Sequence, residues 1–236
     1  MAYNNGYFIT GTDTDVGKTC ISLGFVELLI QSKKAVGVMK PISAGCEKTK
    51  AGLRNSDALM LQQKSNIETD YNTINPYAFE PAIAPHLAAR EAETHIEIET
   101  ILKHYRTIQS QSSCVIVEGA GGWMVPLNDF QTMADLAKLM ELPIILVVGM
   151  RLGCLSHALL TIDAIRHHKL PLAGWVANHI DPEMSRPKEN LQTLLEMIDA
   201  PLLGRVPYLK KQERHTITKY LKLPMERHAH RPAWGI

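Results

Sequence analysis

The segment GTDTDVGKT at residues 11–19 combines residue types that bind phosphate. A bound phosphate needs converging backbone N–H groups, the N-terminus of a helix and a compensating cation. Gly17 would let the backbone approach closely, Lys18 would supply the positive charge, and Thr19 would offer a hydroxyl to Mg²⁺. Thr12 stands where the strict pattern has a glycine, so the segment predicts a phosphate-binding loop that is one residue longer than usual.

The neighbours of this loop favour a nucleotide site over a plain helix cap. An apolar β-rich run precedes it at Tyr7–Thr10, and a helical period follows at Lys18–Ser32, where Ile21, Phe25 and Leu28 share one face. Strand, loop and helix in this order are the context that the phosphate motif requires. Glycines and a lysine that only cap a helix would not need that order, so capping alone is the weaker interpretation.

Two acidic residues could complete a magnesium site beside the loop. Glu118 follows the apolar run Cys114–Val117 and precedes small residues at 119–122, which predict a tight turn. Ligands bind at the carboxyl ends of strands in open α/β sheets, and Mg²⁺ favours one or two carboxylates with phosphate and water oxygens. Asp57 is the second acid, but its residue type is equally typical of a helix N-cap. The residues alone favour the N-cap role of Asp57, and only the family resemblance described below favours the metal role.

A lysine stands at the end of the second predicted strand. Lys40 follows Val36–Met39 and precedes Pro41, and Gly45 is placed for a sharp turn. Most lysines are solvated, and a solvated strand-edge lysine is the simpler alternative. We favour a chemical role, because a second cation at this edge suits the transfer of a phosphoryl group.

Strands and helices must alternate to bring these residues to one edge. Apolar runs predict strands at Tyr7–Thr10, Val36–Met39, Cys114–Val117, Ile144–Val148, Gly174–Ala177 and Leu202–Val206. Helical periods predict helices at Lys18–Ser32, Asp57–Lys64, Ile96–Gln109, Met133–Leu139, His157–His168 and Glu189–Ile198. Several strand runs are continuous rather than alternating, which is typical of strands covered on both faces. The pattern predicts a doubly wound α/β fold with a mostly parallel sheet flanked by helices.

Composition excludes several other classes of protein. The 236 residues include 25 Lys+Arg and 24 Asp+Glu, a balance that argues against a nucleic-acid partner or an anionic membrane surface. No apolar run reaches the roughly 20 residues that span a bilayer, and the first residues lack the pattern of a secretory signal. The four cysteines lie far apart without a Cys-x-x-Cys pair. Reduced thiols and a cytoplasmic location are therefore expected.

Five segments together resemble the dethiobiotin synthetase family of P-loop NTPase-like enzymes. They are TGTDTDVGKT at 10–19, KPISAG at 40–45, GLRNSDAL at 52–59, VEGAGGWMVP at 117–126 and GWVAN at 174–178. The likeness runs from about Tyr7 to Leu223, which implies a single ATP-dependent ligase domain over residues 1–223. Residues 224–236 have no counterpart in that likeness and are predicted to form a surface tail.

The resemblance implies a reaction in biotin synthesis in which 7,8-diaminononanoate, CO₂ and ATP yield dethiobiotin, ADP and phosphate. One amine captures CO₂ as a carbamate, and a carbamate oxygen attacks the γ-phosphate to form a mixed carbamic–phosphoric anhydride. The second amine then closes the ureido ring and expels phosphate. Such a site holds two anions close together, which suits Lys18, Lys40 and Mg²⁺ in one place.

The resemblance also implies roles for individual residues and a partner. Lys40 and Lys18 match catalytic positions, while Thr19, Asp57 and Glu118 match the magnesium positions. The ATP positions are Asp15, Val16, Gly17, Lys18, Thr19, Cys20, Asp57, Glu118, Gly119, Ala120, Gly121, Asn178, Pro207, Tyr208 and Leu209, the last four around adenine. The substrate positions are Thr14, Lys40, Ser43, Gly121, Gly153 and Cys154. A homodimer is expected, with the Gly153–Cys154 turn of one protomer near the substrate carboxylate of its partner.

Three residues depart from the family pattern. Ala44 stands where Ser or Thr is usual, and Ser43 lies one residue earlier. His179 replaces an Asp that many relatives carry, which predicts the loss of one adenine contact. Ser156 replaces an Asn found in some relatives. None of these positions belongs to the predicted phosphate or metal chemistry.

Two other functions use the same kind of loop. A partition-type ATPase switch carries a signature lysine early in the loop, but Asp13 and Thr14 occupy that stretch here. A cobyrinate-type amidoligase needs a glutaminase domain or partner, for which this chain has no room. ATP turnover that requires both diamine and CO₂ would distinguish the ligase from a switch.

Overall fold

Residues 6–224 are described by a computed structural model, and the predicted tail lies outside this range except for Pro224. The strands are β1 (Gly6–Gly11), β2 (Val36–Met39), β3 (Ile42–Ser43), β4 (Glu47–Thr49), β5 (Gly52–Arg54), β6 (Tyr77–Ala78), β7 (Cys114–Gly122), β8 (Ile144–Met150), β9 (Leu172–His179) and β10 (Leu202–Val206). Six of them form the central sheet in the order β10-β9-β8-β1-β7-β2. Every pair in this sheet is parallel, which confirms the predicted fold class.

Helices connect the strands and cover the sheet. They are α1 (Lys18–Gln31), α2 (Ser56–Lys64), α3 (Tyr71–Ile74), α4 (Pro85–Glu91), α5 (Ile98–Ser110), α6 (Met133–Met140), α7 (Cys154–His167) and α8 (Pro187–Met197), with a 3₁₀ helix at Lys211–Tyr220. The predicted start of α7 at His157 was wrong, because Gly153, with a φ of 93°, occupies the N-cap and the helix begins directly after it. The short helices α3 and α4 were not predicted, since they contain too few turns to show a helical period.

Both faces of the central sheet are buried, as the continuous apolar runs predict. In β7, Val115 and Val117 pack in a cluster with α5 and α6, while Ile116 packs on the opposite face with α1. All three side chains are fully buried. Successive side chains of a strand point to opposite faces, so a strand that is covered twice has no polar alternation.

Strand β7 is longer than predicted and carries the glycines that follow Glu118. The predicted turn at 119–122 was wrong, because β7 continues beside β1 as far as the pair Gly11–Gly122. Gly121 has a φ of 62°, a conformation that glycine adopts without steric cost. Gly119–Gly122 therefore lie at the carboxyl edge of the sheet, alongside the phosphate loop. Within residues 6–224 no helix combines the length and the apolar character needed to cross a bilayer.

Candidate functional site

The phosphate loop lies between the end of β1 at Gly11 and the start of α1 at Lys18. Gly17 occupies the N-cap of α1 with a φ of 90°. A Cβ atom at Gly17 would collide with the side-chain amide of Asn178, so both backbone conformation and space require glycine here. Asn178 Nδ2 also donates a hydrogen bond of 2.8 Å to the Val16 carbonyl. The end of β9 thus holds the loop against the start of the helix.

Lys18 is buried at the mouth of this loop, with 7% of its surface exposed. Its Nζ donates a hydrogen bond of 2.9 Å to the Asp13 carbonyl. Burial lowers the pKa of Lys18 to about 8, and the nearby charge of Lys40 adds to this shift, while Glu118 opposes it. A bound anion would stabilise the charged form of this buried ammonium, which is the property expected of a phosphate-binding lysine.

Lys40 lies between two carboxylates. Its Nζ donates hydrogen bonds of 2.6 Å to Glu118 Oε1 and 3.2 Å to Asp57 Oδ2, and only 8% of its side chain is exposed. Burial alone would lower the pKa of Lys40, but Glu118 and then Asp57 outweigh burial and raise the pKa, so the ammonium stays charged. The interpretation of Lys40 as a solvated strand-edge lysine is therefore wrong.

The three predicted magnesium residues meet around Lys40. Thr19 Oγ1 donates a hydrogen bond of 2.8 Å to Glu118 Oε1. Glu118 is fully buried, and its Oε2 has no hydrogen-bond partner among the described residues. A buried carboxylate oxygen without a partner is costly, and it is the type of oxygen that Mg²⁺ prefers. The residues present therefore fit the ion.

Phosphate and water would have to supply further ligands to such an ion. Within the described part of the chain, no group of three or more His, Cys, Asp and Glu residues forms a metal site. The cluster instead offers one threonine hydroxyl and two carboxylates, from Thr19, Asp57 and Glu118. Mg²⁺ bound with a nucleotide commonly uses one or two carboxylates together with phosphate oxygens.

Asn55, rather than Asp57, caps helix α2. Asn55 Oδ1 accepts hydrogen bonds from the N–H groups of Asp57 at 3.1 Å and Ala58 at 3.2 Å. The capping interpretation of Asp57 is therefore wrong, and its carboxylate faces Lys40 instead. Sequence reasoning missed Asn55, although asparagine two residues before Asp57 is itself a preferred N-cap type.

Ser43 supports the Lys40 segment from behind rather than joining the cluster. Its buried hydroxyl donates a hydrogen bond of 2.8 Å to Asn75 Oδ1, and Cys46 Sγ lies 3.2 Å away. Asn75 Nδ2 in turn donates a hydrogen bond of 2.6 Å to the Lys40 carbonyl. None of these contacts brings the Ser43 hydroxyl to Glu118, and its substrate role stays a prediction.

The remaining predicted positions lie at the carboxyl ends of neighbouring strands. Gly121 follows Glu118 on β7, and a Cβ atom on it would lie 3.6 Å from Thr14 Oγ1, so these two substrate positions are adjacent. Pro207–Leu209 follow β10, whose last residue Val206 pairs with Asn178, so the predicted adenine positions share one end of the sheet. The loop carries Asp15, helix α1 carries Cys20, and β7 carries Gly119 and Ala120.

Two predicted positions follow β8 and lead into α7. Gly153 takes the N-cap, and Cys154 is the first helical residue and is buried. Burial raises the pKa of the Cys154 thiol, and burial likewise raises the pKa of the Cys20 thiol in α1. A raised pKa keeps both thiols in the protonated form, and the predicted contacts of Cys154 with substrate and of Cys20 with ATP stay predictions.

His179 lies beside Asn178 but on the other face of the sheet. Asn178 contacts the loop, and strand alternation places His179 on the face where Ala177 packs with α7 and α8. Its Nε2 is buried without a hydrogen-bond partner among the described residues, and burial lowers the pKa of the imidazole. The side chain is therefore neutral at physiological pH.

An open groove of about 420 Å³ adjoins the loop. Its lining is mostly apolar and comes from the loop, the segment after β7 and helix α7, namely Thr12, Asp13, Gly122, Trp123, Met124, Val125, Pro126, Leu160, Thr161 and Ala164. Met124 and Leu160 are 53% and 67% exposed. The groove places an apolar surface beside the first part of the phosphate loop, where the Asp13 carbonyl accepts the hydrogen bond from Lys18.

A parallel sheet with a phosphate loop directly after its first strand defines a P-loop nucleotide-binding protein. Solved structures with the same fold include the MinD cell division protein of Aquifex aeolicus, at a TM-score of 0.55, 14% identity and coverage of 92% of this chain and 88% of that one. A ParA family ATPase from Chlorobium tepidum TLS has a TM-score of 0.53 and 12% identity, with coverage of 92% and 90%. At such identities the likeness concerns the fold alone.

Closer similarity defines the family within this class. Residues 5–216 match a family model described as an AAA domain. The chain is 47% identical over 218 residues to the ATP-dependent dethiobiotin synthetase BioD of Pseudomonas aeruginosa (strain UCBPP-PA14), covering 92% of this chain and 96% of that protein. It is 46% identical over 224 residues to BioD 1 of Escherichia coli (strain K12), with coverage of 93% and 98%. The chain therefore belongs to the ATP-dependent dethiobiotin synthetase family.

Proposed function

We propose that this protein is an ATP-dependent ligase that makes dethiobiotin from 7,8-diaminononanoate and CO₂ in biotin biosynthesis. The observation that carries the proposal is the buried Lys40, which lies between Glu118 and Asp57 beside the phosphate loop. This cluster gathers two lysines and two carboxylates in a chain that is 47% identical to a named dethiobiotin synthetase. A site for a carbamate next to a triphosphate needs that concentration of charge.

The loop and the two lysines would divide the work of phosphoryl transfer. The backbone N–H groups of residues 15–20 and the Lys18 ammonium hold the phosphates at the N-terminus of α1. The diamine adds to CO₂ and loses a proton, and the resulting carbamate oxygen attacks the γ-phosphate while ADP leaves. Lys40 neutralises charge on the carbamate and the transferred phosphoryl group, and burial strengthens that interaction. The second amine then attacks the carbamoyl carbon, which closes the ring and releases phosphate.

Thr19, Asp57 and Glu118 would hold Mg²⁺, which when bound neutralises phosphate oxygens and orients them. The unpartnered Glu118 Oε2 supports this assignment. Lys40 holds Asp57 and Glu118 close together, since it donates a hydrogen bond to each of them. The protein thus contributes three oxygen-bearing side chains, those of Thr19, Asp57 and Glu118, which its own hydrogen bonds hold together.

The nucleotide base and the diamine would lie at opposite ends of the loop. Asn178 and Pro207–Leu209 are proposed to receive adenine, because Asn178 in β9 pairs with Val206, the residue directly before Pro207. The apolar groove beside Asp13 is proposed to receive the hydrocarbon chain of the diamine, with its amines toward Thr14 and Gly121. Apolar contact suits a hydrocarbon chain, and the charged cluster suits the end that reacts.

We also propose that the ligase domain spans residues 1–223 and forms a homodimer. Leu152 and Leu160, near the Gly153–Cys154 turn, are 92% and 67% exposed. Exposed apolar side chains next to a functional groove are typical of a surface that a partner covers. A second protomer would place its Gly153–Cys154 turn near the substrate carboxylate. The cytoplasmic location and the lack of a nucleic-acid partner stay predictions from composition.

A product assay with heavy-carbon bicarbonate tests the proposed reaction. Incubation with ATP, Mg²⁺, 7,8-diaminononanoate and ¹³C-bicarbonate should yield dethiobiotin that carries the heavy carbon, detected by mass spectrometry. Omission of the diamine or of bicarbonate should abolish the product and reduce ADP release to background. ADP release at the same rate without diamine would instead support a partition-type ATPase switch, and dependence on glutamine would support an amidoligase.

Replacing Glu118 by glutamine should raise the Mg²⁺ concentration needed for half-maximal activity. Glutamine keeps the size and hydrogen-bonding capacity of the side chain, but it removes the charge that a divalent cation needs. The measurement is a magnesium titration of the initial rate at saturating ATP. Glu189→Gln, at an exposed surface ion pair, is the matched control and should leave the titration unchanged. An unchanged titration for Glu118→Gln would move the metal site away from this residue.

A further inference from the structure

The first part of the phosphate loop is attached to the neighbouring strand β8. Thr12 N–H donates a hydrogen bond of 3.0 Å to the Val147 carbonyl, and Gly149 N–H donates one of 3.3 Å to Thr12 Oγ1. These contacts extend the pairing of β1 and β8 beyond Gly11, where β1 ends. The loop backbone separates from β8 at Asp13. From there the contact with the end of β8 is made by the Asp13 side chain.

Asp13 connects three parts of the site at once. Its Oδ1 accepts a hydrogen bond of 2.7 Å from the next N–H in the loop, that of Thr14. Its backbone carbonyl accepts the hydrogen bond of 2.9 Å from Lys18 Nζ. Its Oδ2 accepts a hydrogen bond from Arg151 Nη2. The conformation of Asp13 therefore sets both the path of the loop and the position of the phosphate-binding ammonium.

Arg151 contacts Asp13 from a firmly held position. It follows Met150, the fully buried last residue of β8. Its carbonyl accepts a hydrogen bond of 3.0 Å from Cys154 N–H at the start of α7. The backbone of Arg151 is thus fixed on both sides, and its planar guanidinium can hold a carboxylate in one orientation.

We propose that Arg151 is a positioning residue for phosphoryl transfer, which holds Asp13 and through it the phosphate loop and Lys18. No role in the family pattern described above falls on either Arg151 or Asp13. The inference rests on the proposed function only in taking ATP as the ligand of the loop. A loop one residue longer than the strict pattern has more freedom, and the ion pair supplies an additional fixed point.

Two simpler accounts of the pair make different predictions. The side chains of Arg151 and Asp13 are 41% and 44% exposed, and many exposed ion pairs contribute nothing measurable. Alternatively, Arg151 could only offset the negative charge of Asp13 near bound phosphates. In that case Asp13→Asn would tighten ATP binding, because it removes a like charge. If Arg151 positions Asp13, loss of either side chain should instead slow the same step, the transfer of the phosphoryl group.

The test is a double-mutant cycle on the full chain with Arg151→Gln, Asp13→Asn and the double variant. Steady-state kcat and the KM for ATP are measured in the product assay, and ATP affinity is measured by calorimetry. Each single variant should lower kcat/KM for ATP by about tenfold, because small displacements of a reacting group are costly. The double variant should lose about tenfold as well, since both changes break one interaction.

Two further variants separate positioning from general damage. Arg151→Lys keeps the charge and most of the reach, so it should recover activity to within about threefold of wild type. Arg90→Gln removes the arginine of another exposed Arg–Asp pair, Arg90–Asp129, and should have no effect. Thermal melting of every variant checks that the fold is retained.

Three results would overturn the proposal. Wild-type kinetics for both single variants would make Arg151–Asp13 an ordinary surface pair. Tighter ATP binding by Asp13→Asn would reduce Arg151 to a charge offset, and multiplicative losses in the double variant would show two independent roles. Failure of the proposed function is distinguishable, because the wild-type protein would then form no dethiobiotin while calorimetry still reported the ATP affinities of the variants.

Discussion

Replacing Lys18 by alanine is expected to lower turnover by roughly 100- to 1,000-fold, because one preorganised electrostatic contact is worth about 3–4 kcal/mol. The phosphates would lose the fixed cation at the mouth of the loop. The fold should survive, because the hydrogen bond that the Lys18 ammonium donates among residues 6–224 goes to the Asp13 carbonyl of the same loop. The lowered pKa of Lys18 supports the same expectation. Below about pH 8 the ammonium is charged in the folded protein, and burial of that charge reduces the free energy of unfolding. Removal of the lysine removes this destabilisation.

Steady-state rates and thermal melting together check the Lys18 prediction. At pH 7 the variant should melt at or above the wild-type temperature while turnover collapses. Lys188→Ala, an exposed lysine on α8, is the matched control and should behave as wild type. A well-folded Lys18→Ala protein that keeps more than a tenth of its activity would refute the assignment of the loop.

Replacing Lys40 by glutamine should reduce kcat by roughly 100-fold, with a smaller change in ATP affinity. Its charge matters most when negative charge moves from carbamate to phosphoryl oxygens, so the loss falls on the transition state. ATP without diamine should still bind, since Lys18 remains in place. The measurement is calorimetric ATP affinity beside steady-state rates for the same preparation.

The burial of Lys40 adds a stability cost that an exposed lysine would not have. Loss of an exposed lysine changes the free energy of unfolding by about 0.5 kcal/mol or less. Loss of Lys40 leaves Glu118 and Asp57 without their shared cation, and breaking a buried pair typically costs roughly 3–5 kcal/mol. Because Asp57 is about one-third exposed, we expect the lower end of that range.

The Lys40 experiment is therefore run below the melting temperature of the variant, where ATP binding itself shows that the site is folded. Lys48→Gln removes the lysine of an exposed pair with Glu80 and should leave kcat unchanged. A Lys40→Gln variant that binds ATP and turns over near the wild-type rate would remove Lys40 from the chemistry. The family role assigned to it would then not apply to this chain.

The regular elements of the fold were predictable because their signals are local. The ranges Val36–Met39 and Leu202–Val206 match β2 and β10 as observed. A buried parallel strand is a short continuous apolar run, and such a run needs no knowledge of its partner. The short strands β3–β6 and helices α3 and α4 have no such signal, since a few residues do not establish a period.

Contacts between distant residues were beyond any local pattern. Lys40 and Glu118 are separated by 78 positions, and Asp13 and Arg151 by 138. The sequence suggested that Lys40 and Glu118 share one edge, but it did not indicate that the lysine is buried and paired. Arg151 was missed altogether, because an arginine after a strand is ordinary until its partner is known.

The sequence by itself determined the phosphate loop, the parallel sheet and the edge at which the predicted site residues lie. Loop residue types, strand runs and helix periods act within a few residues of one another, so they can be recognised along the chain. Only the tertiary structure decided that Asn55 rather than Asp57 caps α2, that β7 continues through Gly122, and that Lys40 bridges two carboxylates. Each of these three features depends on a contact with a group from another part of the chain or from the next strand. The packing of the whole sheet decides which groups are brought into contact.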